Sequence, residues 1–323
     1  MRKLVLALLL LAPPWLKKFL LRRFFGAKIG RGARIGWFAL VRGQRIEIGD
    51  YARISGLAML QCREVLIGDY TVIGNRVHVY GPASFAIGRH SVLGAETMVN
   101  VWEDVRIGDL TAIGARTMIV THGTALPYTE GYWVKFAPVT IGSRVWIGSG
   151  AFIQPGITIG NEVFVNAMSV VKRDLPAGSV AEGYPARVVA PMERLRRAMS
   201  PGAVDDAARS MLAHFAEVGL RRERGVQPTA DAEGALTFKF HGRDYLVACV
   251  PSEGPLPSAL GSGGRRRVVL LLNRPQWSPP AGLEGALAID LTTMRTPPPR
   301  DPIHRALEGF LRGYYSLPLE YYP

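Results

Sequence analysis

The sequence predicts a mainly β protein whose core is a parallel β-helix, a coil with three short strands in each turn. Ile-Gly pairs start at positions 29, 48, 67, 87, 107, 141 and 159. The residues six and twelve positions after each start are also aliphatic, so all twenty-one positions hold Ile, Leu or Val. The starts lie 18 to 20 residues apart except across one interval of 34. Self-similarity at such a period is typical of solenoid proteins.

The aliphatic positions indicate how the coil is stabilised. One side chain per strand points inward and packs against the equivalent residues of the neighbouring coils. A helical period would scatter these side chains, and ordinary strand alternation would not select every sixth residue. Small residues often follow the aliphatic one, as at Gly30, Gly36 and Gly49, where a corner leaves little room. Each coil buries its inner face only against its neighbours, so several coils and capped ends are needed.

The net charge of +13 comes mainly from the start of the chain, because residues 1–34 hold nine Lys and Arg and no acidic residue. A chain that is basic at one end lacks the extended basic face that nucleic acid requires, so we expect no nucleic-acid partner. The two cysteines, Cys62 and Cys249, are far apart in sequence and indicate no disulfide framework. They favour a reduced compartment and therefore a cytoplasmic location.

Residues 1–28 are predicted to form a basic, partly apolar helix. The first apolar run is too short to span a bilayer as a helix, and no small-residue cleavage site follows it. At helical spacing Phe19 and Phe24 fall on one apolar side, with Lys18 opposite. Two hypotheses follow. Residues 1–25 contact the inner face of an anionic membrane peripherally, or the apolar side of this helix caps the open end of the coil.

The repeat is interrupted once, within the segment "IVTHGTALPYTEGYWVKFAPVTIG" of residues 119–142. A lone histidine, His122, stands at the corner where the loop of residues 123–138 leaves the coil. Long irregular insertions into a regular scaffold usually carry function. Thr121 is predicted to serve local structure. A corner histidine that bonds only to the backbone is the structural alternative.

Residues 145–189 have the sequence "VWIGSGAFIQPGITIGNEVFVNAMSVVKRDLPAGSVAEGYPARVV". This tail, with the Thr-His pair before a protruding loop, resembles the hexapeptide-repeat acyltransferases, in particular their xenobiotic, maltose and galactoside O-acetyltransferase branch. The resemblance covers residues 29–189. It implies a left-handed parallel β-helix, acetyl-CoA as co-substrate, no metal, and a homotrimer with active sites between subunits. The loop 123–138 would then reach over a neighbouring subunit.

The resemblance also implies roles for individual residues. The family histidine at this motif is a general base, a role that His122 would take because imidazole titrates near neutral pH. Asn100 matches a family asparagine near the reacting centre and would hold the acceptor or the oxyanion; a corner hydrogen bond is the alternative. Backbone groups beside small residues would bind the pantetheine arm, and cations would bind the coenzyme phosphates. The matching coenzyme-binding residues are Trp146, Gly148, Ser149, Ala151, Ala167, Lys172, Arg173 and Arg187.

The predicted function is acetyl-CoA-dependent O-acetyl transfer to a hydroxyl of a sugar, glycan or lipid-linked saccharide. The family often has a longer helical N-terminus that contacts simple sugars, and its absence here favours cell-surface polysaccharides or lipid-linked sugars as acceptors. One alternative is a non-catalytic β-helix scaffold. Another is a zinc enzyme of the γ-carbonic anhydrase type, because His78, His90 and His122 lie on the coil. The zinc alternative requires a further histidine five residues from His122, and the sequence has none there.

Residues 190–323 follow the repeat and are predicted to form a helical linker and a small α+β domain. The predicted elements are a helix-turn-helix with Asp205 as a cap, a hairpin around His241-Gly242, strands in "RRRVVLLLN" and "GALAIDL", and a helix that starts near Asp301. No metal or nucleophile motif is present in this extension. Acceptor binding, oligomer contact and partner docking are its candidate roles.

Overall fold

The computed structural model of the protein describes residues 9–123, 126–261, 267–274, 283 and 285–322. The chain divides into two compact units, Met1–Arg197 and Ala198–Pro323. Among these residues, the first unit contains three long sheets around one core, parallel except for the last strand of the second sheet, and the second unit contains one mixed sheet with helices. The predicted fold class, a mainly β protein with a parallel β-helix, is confirmed.

The β-helix has three sheets, to each of which every full turn contributes one strand. The first sheet contains β1 (Lys28–Ile29), β4 (Arg45–Ile48), β7 (Glu64–Ile67), β10 (Ser84–Ile87), β13 (Val105–Ile107), β18 (Val139–Ile141) and β21 (Thr158–Ile159). The second contains β2 (Arg34–Ile35), β5 (Arg53–Ile54), β8 (Val72–Ile73), β11 (Val92–Leu93), β14 (Ala112–Ile113), β19 (Trp146–Ile147), β22 (Phe164–Val165), β24 (Ser179–Gly183) and β25 (Ala186–Pro191). The third contains β3 (Leu40–Arg42), β6 (Met59–Gln61), β9 (His78–Tyr80), β12 (Met98–Asn100), β15 (Met118–Ile119), β20 (Phe152–Ile153) and β23 (Val170–Val171).

The twenty-one aliphatic positions of the repeat form the core of this coil. All of them are buried, and residues in equivalent positions pair in register from coil to coil, as Ile67 does with Ile87 and Ile73 with Leu93. Strands in such sheets lie about 4.8 Å apart, so the inward side chains of successive coils are in van der Waals contact. Burying each aliphatic side chain stabilises the fold by about 1.5–3 kcal/mol. The prediction of inward-stacking side chains is confirmed.

Tight corners explain why a small residue follows most of the aliphatic positions in the first and second sheets. A Cβ atom on Gly68 would lie 2.5 Å from the backbone nitrogen of Arg89 in the next coil. At the next corner, a Cβ atom on Gly74 would lie 2.6 Å from the nitrogen of Ala95. Real Cβ contacts are not this short, so a larger residue would push neighbouring coils apart and disrupt their register.

The helix α1 (Pro14–Phe25) covers the N-terminal end of the coil. The ammonium group of Lys17 is buried and donates to the carbonyls of Gly36 and Ala39, each at 2.9 Å. Desolvation lowers the pKa of Lys17. Arg22 donates to the carbonyl of Ile29 at 2.6 Å. The helix therefore supplies hydrogen-bond donors to carbonyl groups of the first coil, and it caps the coil in part through buried Lys17 rather than through the predicted apolar side alone.

The prediction of which α1 side chains face the coil is wrong. Leu21 and Lys17 are buried, whereas Phe19 and Phe24 are exposed at 59% and 50%. The reason is that open carbonyls of the coil end need donors, so Lys17 turns inward while Phe19 and Phe24 face outward. Within the described part of the chain, every helix is too short or too polar to span a bilayer. Residues 1–8 of the predicted helix lie outside the described residues.

The second unit is built on one seven-stranded mixed sheet. Its strands, in both chain and spatial order, are β26 (Thr229–Ala230), β27 (Leu236–Phe240), β28 (Arg243–Val250), β29 (Arg267–Leu272), β30 (Leu287–Asp290), β31 (Arg295–Thr296) and β32 (Glu320–Tyr321). The helices are α2 (Pro201–His214), which continues as a π-helix over Phe215–Arg222, and α3 (Pro302–Tyr315). The predicted hairpin, the two strands and the last helix are present, and Asp301 caps α3.

Two predictions for the start of this unit are wrong. Residues before α2 form only a 3₁₀ turn over Met192–Arg194 and not a full helix. The cap of α2 is Ser200, whose side chain accepts from the backbone nitrogen of Ala203, and not Asp205. Asp205 lies inside the helix because its carboxylate accepts three hydrogen bonds, two from Ser252 and one from Asn273. These hydrogen bonds hold the pKa of Asp205 below its usual range against the opposing effect of burial.

The buried ammonium of Lys17 generates a stability prediction. Lys17→Ala leaves the carbonyls of Gly36 and Ala39 without donors, which we expect to cost about 1–3 kcal/mol. The first coil should loosen, and the thermal melting midpoint of the β-helix should fall. Lys18→Ala is the matched control, because Lys18 is only half-buried and donates a single, longer hydrogen bond of 3.3 Å. Equal midpoints for the two variants would contradict the capping role.

Candidate active site

The interruption of the repeat is a hairpin that leaves the coil immediately after β15. Two short antiparallel strands, β16 (His122–Gly123) and β17 (Lys135–Phe136), pair so that His122 lies opposite Phe136. The backbone nitrogen of Ala137 donates to the carbonyl of Thr121 at 3.0 Å, which closes the base of the hairpin. The coil can therefore resume in register at Val139, which pairs with Val105 of the preceding turn.

Thr121 fixes the corner from which the hairpin leaves. Its side chain is buried, and its hydroxyl donates to the carbonyl of Asn100 at 3.0 Å. The same oxygen accepts from the backbone nitrogens of Trp102 and Glu103 at 2.9 and 3.0 Å. One hydroxyl thus satisfies three backbone groups on the preceding coil. The prediction that Thr121 serves local structure is confirmed.

His122 and Asn100, both candidate site residues, are in contact. The Nδ1 atom of His122 lies 2.6 Å from Oδ1 of Asn100. With the Asn100 amide oxygen assigned to this contact, it can only accept, so Nδ1 carries the proton and Nε2 keeps its lone pair. The hydrogen bond thereby selects the tautomer that can accept a proton at Nε2. It also excludes the structural alternative in which His122 bonds only to the backbone.

Asn100 lies inside the protein rather than on its surface. The residue is 1% exposed, and its Nδ2 atom is buried without a hydrogen-bond partner among the described residues. The sequence suggested that Asn100 holds the acceptor or the oxyanion. In the structure its side-chain oxygen is engaged by His122, so the contact that the geometry provides is one that orients the imidazole.

Two aromatic side chains flank the imidazole of His122. The ring of Phe136 stacks on it with centroids 5.8 Å apart, and the ring of Trp102 lies 5.6 Å away at a tilt. Both aromatic residues are partly exposed. Phe136 lies in the predicted functional loop 123–138, whereas Trp102 lies outside it and was not predicted. The available signal was its position on the same corner as Asn100, one coil before His122.

The rest of the hairpin presents aromatic residues outward. A 3₁₀ turn forms over Tyr128–Glu130, and Tyr128 and Trp133 are exposed at 75% and 71%. These aromatic side chains therefore do not serve mainly to pack the hairpin onto its own coil. Residues 124 and 125 of the predicted loop lie outside the described residues.

The candidate coenzyme residues lie on the coils that follow the hairpin. Trp146 is exposed on β19, with its ring edge-on to Phe164 at 5.0 Å. Gly148 and Ala167 stack on each other, since a Cβ atom on Gly148 would lie 2.4 Å from the nitrogen of Ala167. The carbonyl of Ser149 accepts from the nitrogen of Met168 in the next coil. Small side chains thus leave the backbone of these corners uncovered.

The remaining four coenzyme candidates differ in exposure. Lys172, Arg173 and Arg187 are exposed, and the ammonium of Lys172 lies 5.0 Å from the centre of the Tyr184 ring. Ala151 is different, because its side chain is buried in the coil core and its carbonyl accepts from Met118. The Ala151 side chain therefore supports the coil from within, and a contact of its backbone with the coenzyme stays a prediction.

The histidines of the zinc alternative have separate surroundings. The ring of His78 stacks on Tyr80 at 4.6 Å, and the ring of His90 stacks on Tyr70 at 4.8 Å. In the described ranges, no group of three or more His, Cys, Asp or Glu side chains is placed to hold a metal ion. The third histidine of that reading, His122, is bonded to Asn100 as described above.

Comparisons with known proteins agree with this architecture. Residues 138–173 match the family model described as bacterial transferase hexapeptide (six repeats). The chain is 34% identical over 126 residues to galactoside O-acetyltransferase of Escherichia coli (strain K12), covering 36% of this chain and 62% of that protein. It is 39% identical over 107 residues to nodulation protein L of Rhizobium meliloti (strain 1021), covering 32% and 58%.

Among solved structures, the hexapeptide-repeat containing acetyltransferase VCA0836 of Vibrio cholerae O1 biovar eltor, complexed with acetyl coenzyme A, is similar at 21% identity. That comparison covers 59% of this chain and 84% of the other, with a TM-score of 0.34. The family-model match over residues 138–173 confirms the resemblance to hexapeptide-repeat proteins that the sequence predicts. The chain spans about three-fifths of the length of the two curated relatives above.

Proposed function

We propose that this protein is an acetyl-CoA-dependent O-acetyltransferase that acts on a hydroxyl of a sugar or glycan, with His122 as the general base. The observation that carries the proposal is the 2.6 Å hydrogen bond between His122 and Asn100 at the one interruption of the repeat. This hydrogen bond leaves Nε2 as the proton acceptor. The imidazole lies at the base of the hairpin, and the coils that follow have backbone groups that no side chain covers. The match to a galactoside O-acetyltransferase supports a sugar acceptor.

The proposed reaction needs one proton acceptor, which later gives the same proton to the leaving group. Nε2 of His122 takes the proton of the acceptor hydroxyl as its oxygen attacks the thioester carbonyl, and a C–O bond forms. The tetrahedral intermediate then expels the coenzyme thiolate as the C–S bond breaks. The imidazolium gives its proton to that sulfur, so the products are the acetyl ester and the free thiol. Asn100 acts as a positioning residue that holds the imidazole in one tautomer.

The coenzyme arm would bind along the coils after the hairpin. Exposed backbone beside Gly148 and Ala167 suits a pantetheine chain, whose amides need hydrogen-bond partners. The exposed cations Lys172, Arg173 and Arg187 would pair with the coenzyme phosphates. The outward aromatic side chains of the hairpin would cover a neighbouring subunit in a homotrimer, which would bury an otherwise exposed apolar surface.

Removing the base tests the assignment directly. We expect His122→Ala to lower turnover by about 10²- to 10⁴-fold, because the acceptor hydroxyl loses its proton acceptor. Binding of acetyl-CoA, measured by calorimetry, should remain. His90→Ala is the matched control, since this coil histidine stacks on Tyr70 away from the hairpin. Normal turnover in the His122→Ala variant would refute the proposed base.

The positioning role of Asn100 predicts opposite behaviour for two substitutions. Asn100→Asp keeps an acceptor oxygen for the Nδ1 proton and should retain much of kcat. Its carboxylate stabilises the imidazolium, so the acidic limb of the pH profile of kcat/KM should move to higher pH. Asn100→Leu removes the acceptor and should lower kcat with little change in the KM for acetyl-CoA. Identical pH profiles for the wild type and Asn100→Asp would contradict direct contact with the base.

We infer that the protein also contacts the inner face of the membrane peripherally, through α1. Trp15 and Phe19 are exposed at 71% and 59% on a segment that carries many cations and no acid. Aromatic side chains insert at the bilayer interface, and Lys and Arg are attracted to anionic lipid headgroups. This placement would bring the enzyme to membrane-linked glycans and polysaccharide precursors.

Vesicle sedimentation tests the membrane contact. The wild type should sediment with vesicles that contain phosphatidylglycerol and much less with pure phosphatidylcholine vesicles. The double variant Trp15→Ser and Phe19→Ser should lose most of this binding, because the interfacial anchors are gone. Tyr314→Ser changes an exposed aromatic residue of the second unit and serves as the control. Unchanged sedimentation of the double variant would argue against membrane contact through α1.

A further inference from the structure

A large cleft lies on the first unit, on the same corner as His122 but toward α1. Its volume is about 840 Å³, which is in the range of pockets that hold small ligands. Its described lining residues are Phe24, Phe25, Arg42, Gly43, Gln44, Gln61, Cys62, Arg63, Tyr80, Gly81 and Pro82. None of these residues is among the catalytic or coenzyme candidates.

Strand register connects this cleft to the candidate active site. In the third sheet Arg42 pairs with Gln61, and Gln61 pairs with Tyr80. Tyr80 in turn pairs with Asn100, the partner of His122. Four successive coils therefore place Arg42, Gln61, Tyr80 and Asn100 in one column. With about 4.8 Å per step, the column is about 14 Å long, a distance that a short oligosaccharide can span.

The cleft contains polar side chains that the protein itself does not use. Arg42, Gln44 and Gln61 have no side-chain hydrogen bond or ion pair within the described ranges, although neighbouring coils carry many such pairs. A guanidinium offers five donors, and each amide offers two donors and an acceptor. Together they provide hydrogen-bonding capacity in both directions, which matches the hydroxyl-rich surface of a saccharide.

The charge of the cleft favours an anion. Its described lining contains two guanidinium groups, those of Arg42 and Arg63, and no acidic residue. Arg63 is partly engaged, because it donates to Ser84 at 3.0 Å and lies 3.6 Å from Asp104. Arg42 is the cation left for a ligand. Guanidinium groups bind carboxylates and phosphates in bidentate geometry, so the preferred ligand carries one of these groups.

The cleft is suited to binding rather than to chemistry of its own. Burial raises the pKa of Cys62 to about 12, so its thiol is not a nucleophile at neutral pH. Gly81 has φ of +143°, and a Cβ atom there would lie 2.2 Å from the carbonyl oxygen of Val101. Glycine is therefore required where the cleft meets the coil that contains Asn100, and no side chain fills the cleft at that position.

We propose that this cleft is an extended acceptor subsite for an anionic oligosaccharide, whose acidic group is held by Arg42 while its other end reaches His122. The proposal rests on the O-acetyltransferase function and narrows the acceptor to glycans that carry carboxylate or phosphate groups. Gln44 and Gln61 bind sugar hydroxyls, and Tyr80 and the two phenylalanines provide apolar surface for sugar rings.

Calorimetric binding to the intact chain tests the subsite independently of catalysis. The probes are tetragalacturonate, maltotetraose phosphorylated at one hydroxyl, and unmodified maltotetraose. We expect one or both acidic probes to bind about tenfold or more tightly than maltotetraose, and the stronger of the two identifies the acidic group. Arg42→Glu should weaken acidic-probe binding by about tenfold or more, with Arg42→Ala intermediate. Arg53→Glu, an exposed strand arginine of the second sheet, should bind like the wild type.

Three results would overturn the subsite: no binding of any probe, equal binding of all three, or equal binding by the wild type and Arg42→Glu. A parallel assay of acetyl transfer to p-nitrophenyl β-galactoside, to tetragalacturonate and to the phosphorylated maltotetraose separates this proposal from the enzymatic one. Transfer without acidic-probe binding would refute the subsite and leave the O-acetyltransferase function standing. Acidic-probe binding that depends on Arg42, without any transfer, would support an anionic saccharide site and refute the enzymatic proposal.

Discussion

In-register stacking of aliphatic side chains between successive coils is the constraint on which the rest of the first unit depends. Each coil is about 20 residues long and has no core of its own, so Ile73 is buried only because Val72 and Ile73 pair with Val92 and Leu93 above them. An uncapped end of the β-helix, or a shift in the register of one strand, would expose inward aliphatic side chains to water. The helix α1 therefore closes the open first coil, and its Lys17 donates hydrogen bonds to carbonyls of that coil.

The same constraint decides where function can be placed. An insertion is tolerated only at a corner, where it can leave and return without shifting the register, and the hairpin after β15 does this. The corner is fixed by Thr121, so the histidine that follows it is held where its imidazole meets Asn100. Regular stacking also generates columns of equivalent residues, and one of these columns extends from Asn100 to Arg42. Catalytic and acceptor-binding groups can thus be spaced along one corner of the coil.

The sequence predicted the coil because its periodicity directly reflects the stacking, and all of the repeat positions are buried as expected. It predicted His122 because the repeat stops there. It did not predict which side of α1 faces the coil, since unpaired carbonyls drew Lys17 inward against the hydrophobic pattern. The flanking Trp102 and the cap at Ser200 depend on contacts distant in sequence or on local hydrogen bonds that periodicity does not reveal.

The most direct test of the account is calorimetric titration of the intact protein with acetyl-CoA, beside free CoA and adenosine 3′,5′-bisphosphate. The account predicts saturable binding of acetyl-CoA and CoA that is much tighter than binding of the nucleotide, because the pantetheine arm lies along the coils after the hairpin. Absence of binding to the folded protein, or equal binding of all three compounds, would contradict it. His122 would then be a well-ordered corner residue of a scaffold and not the base of a transferase.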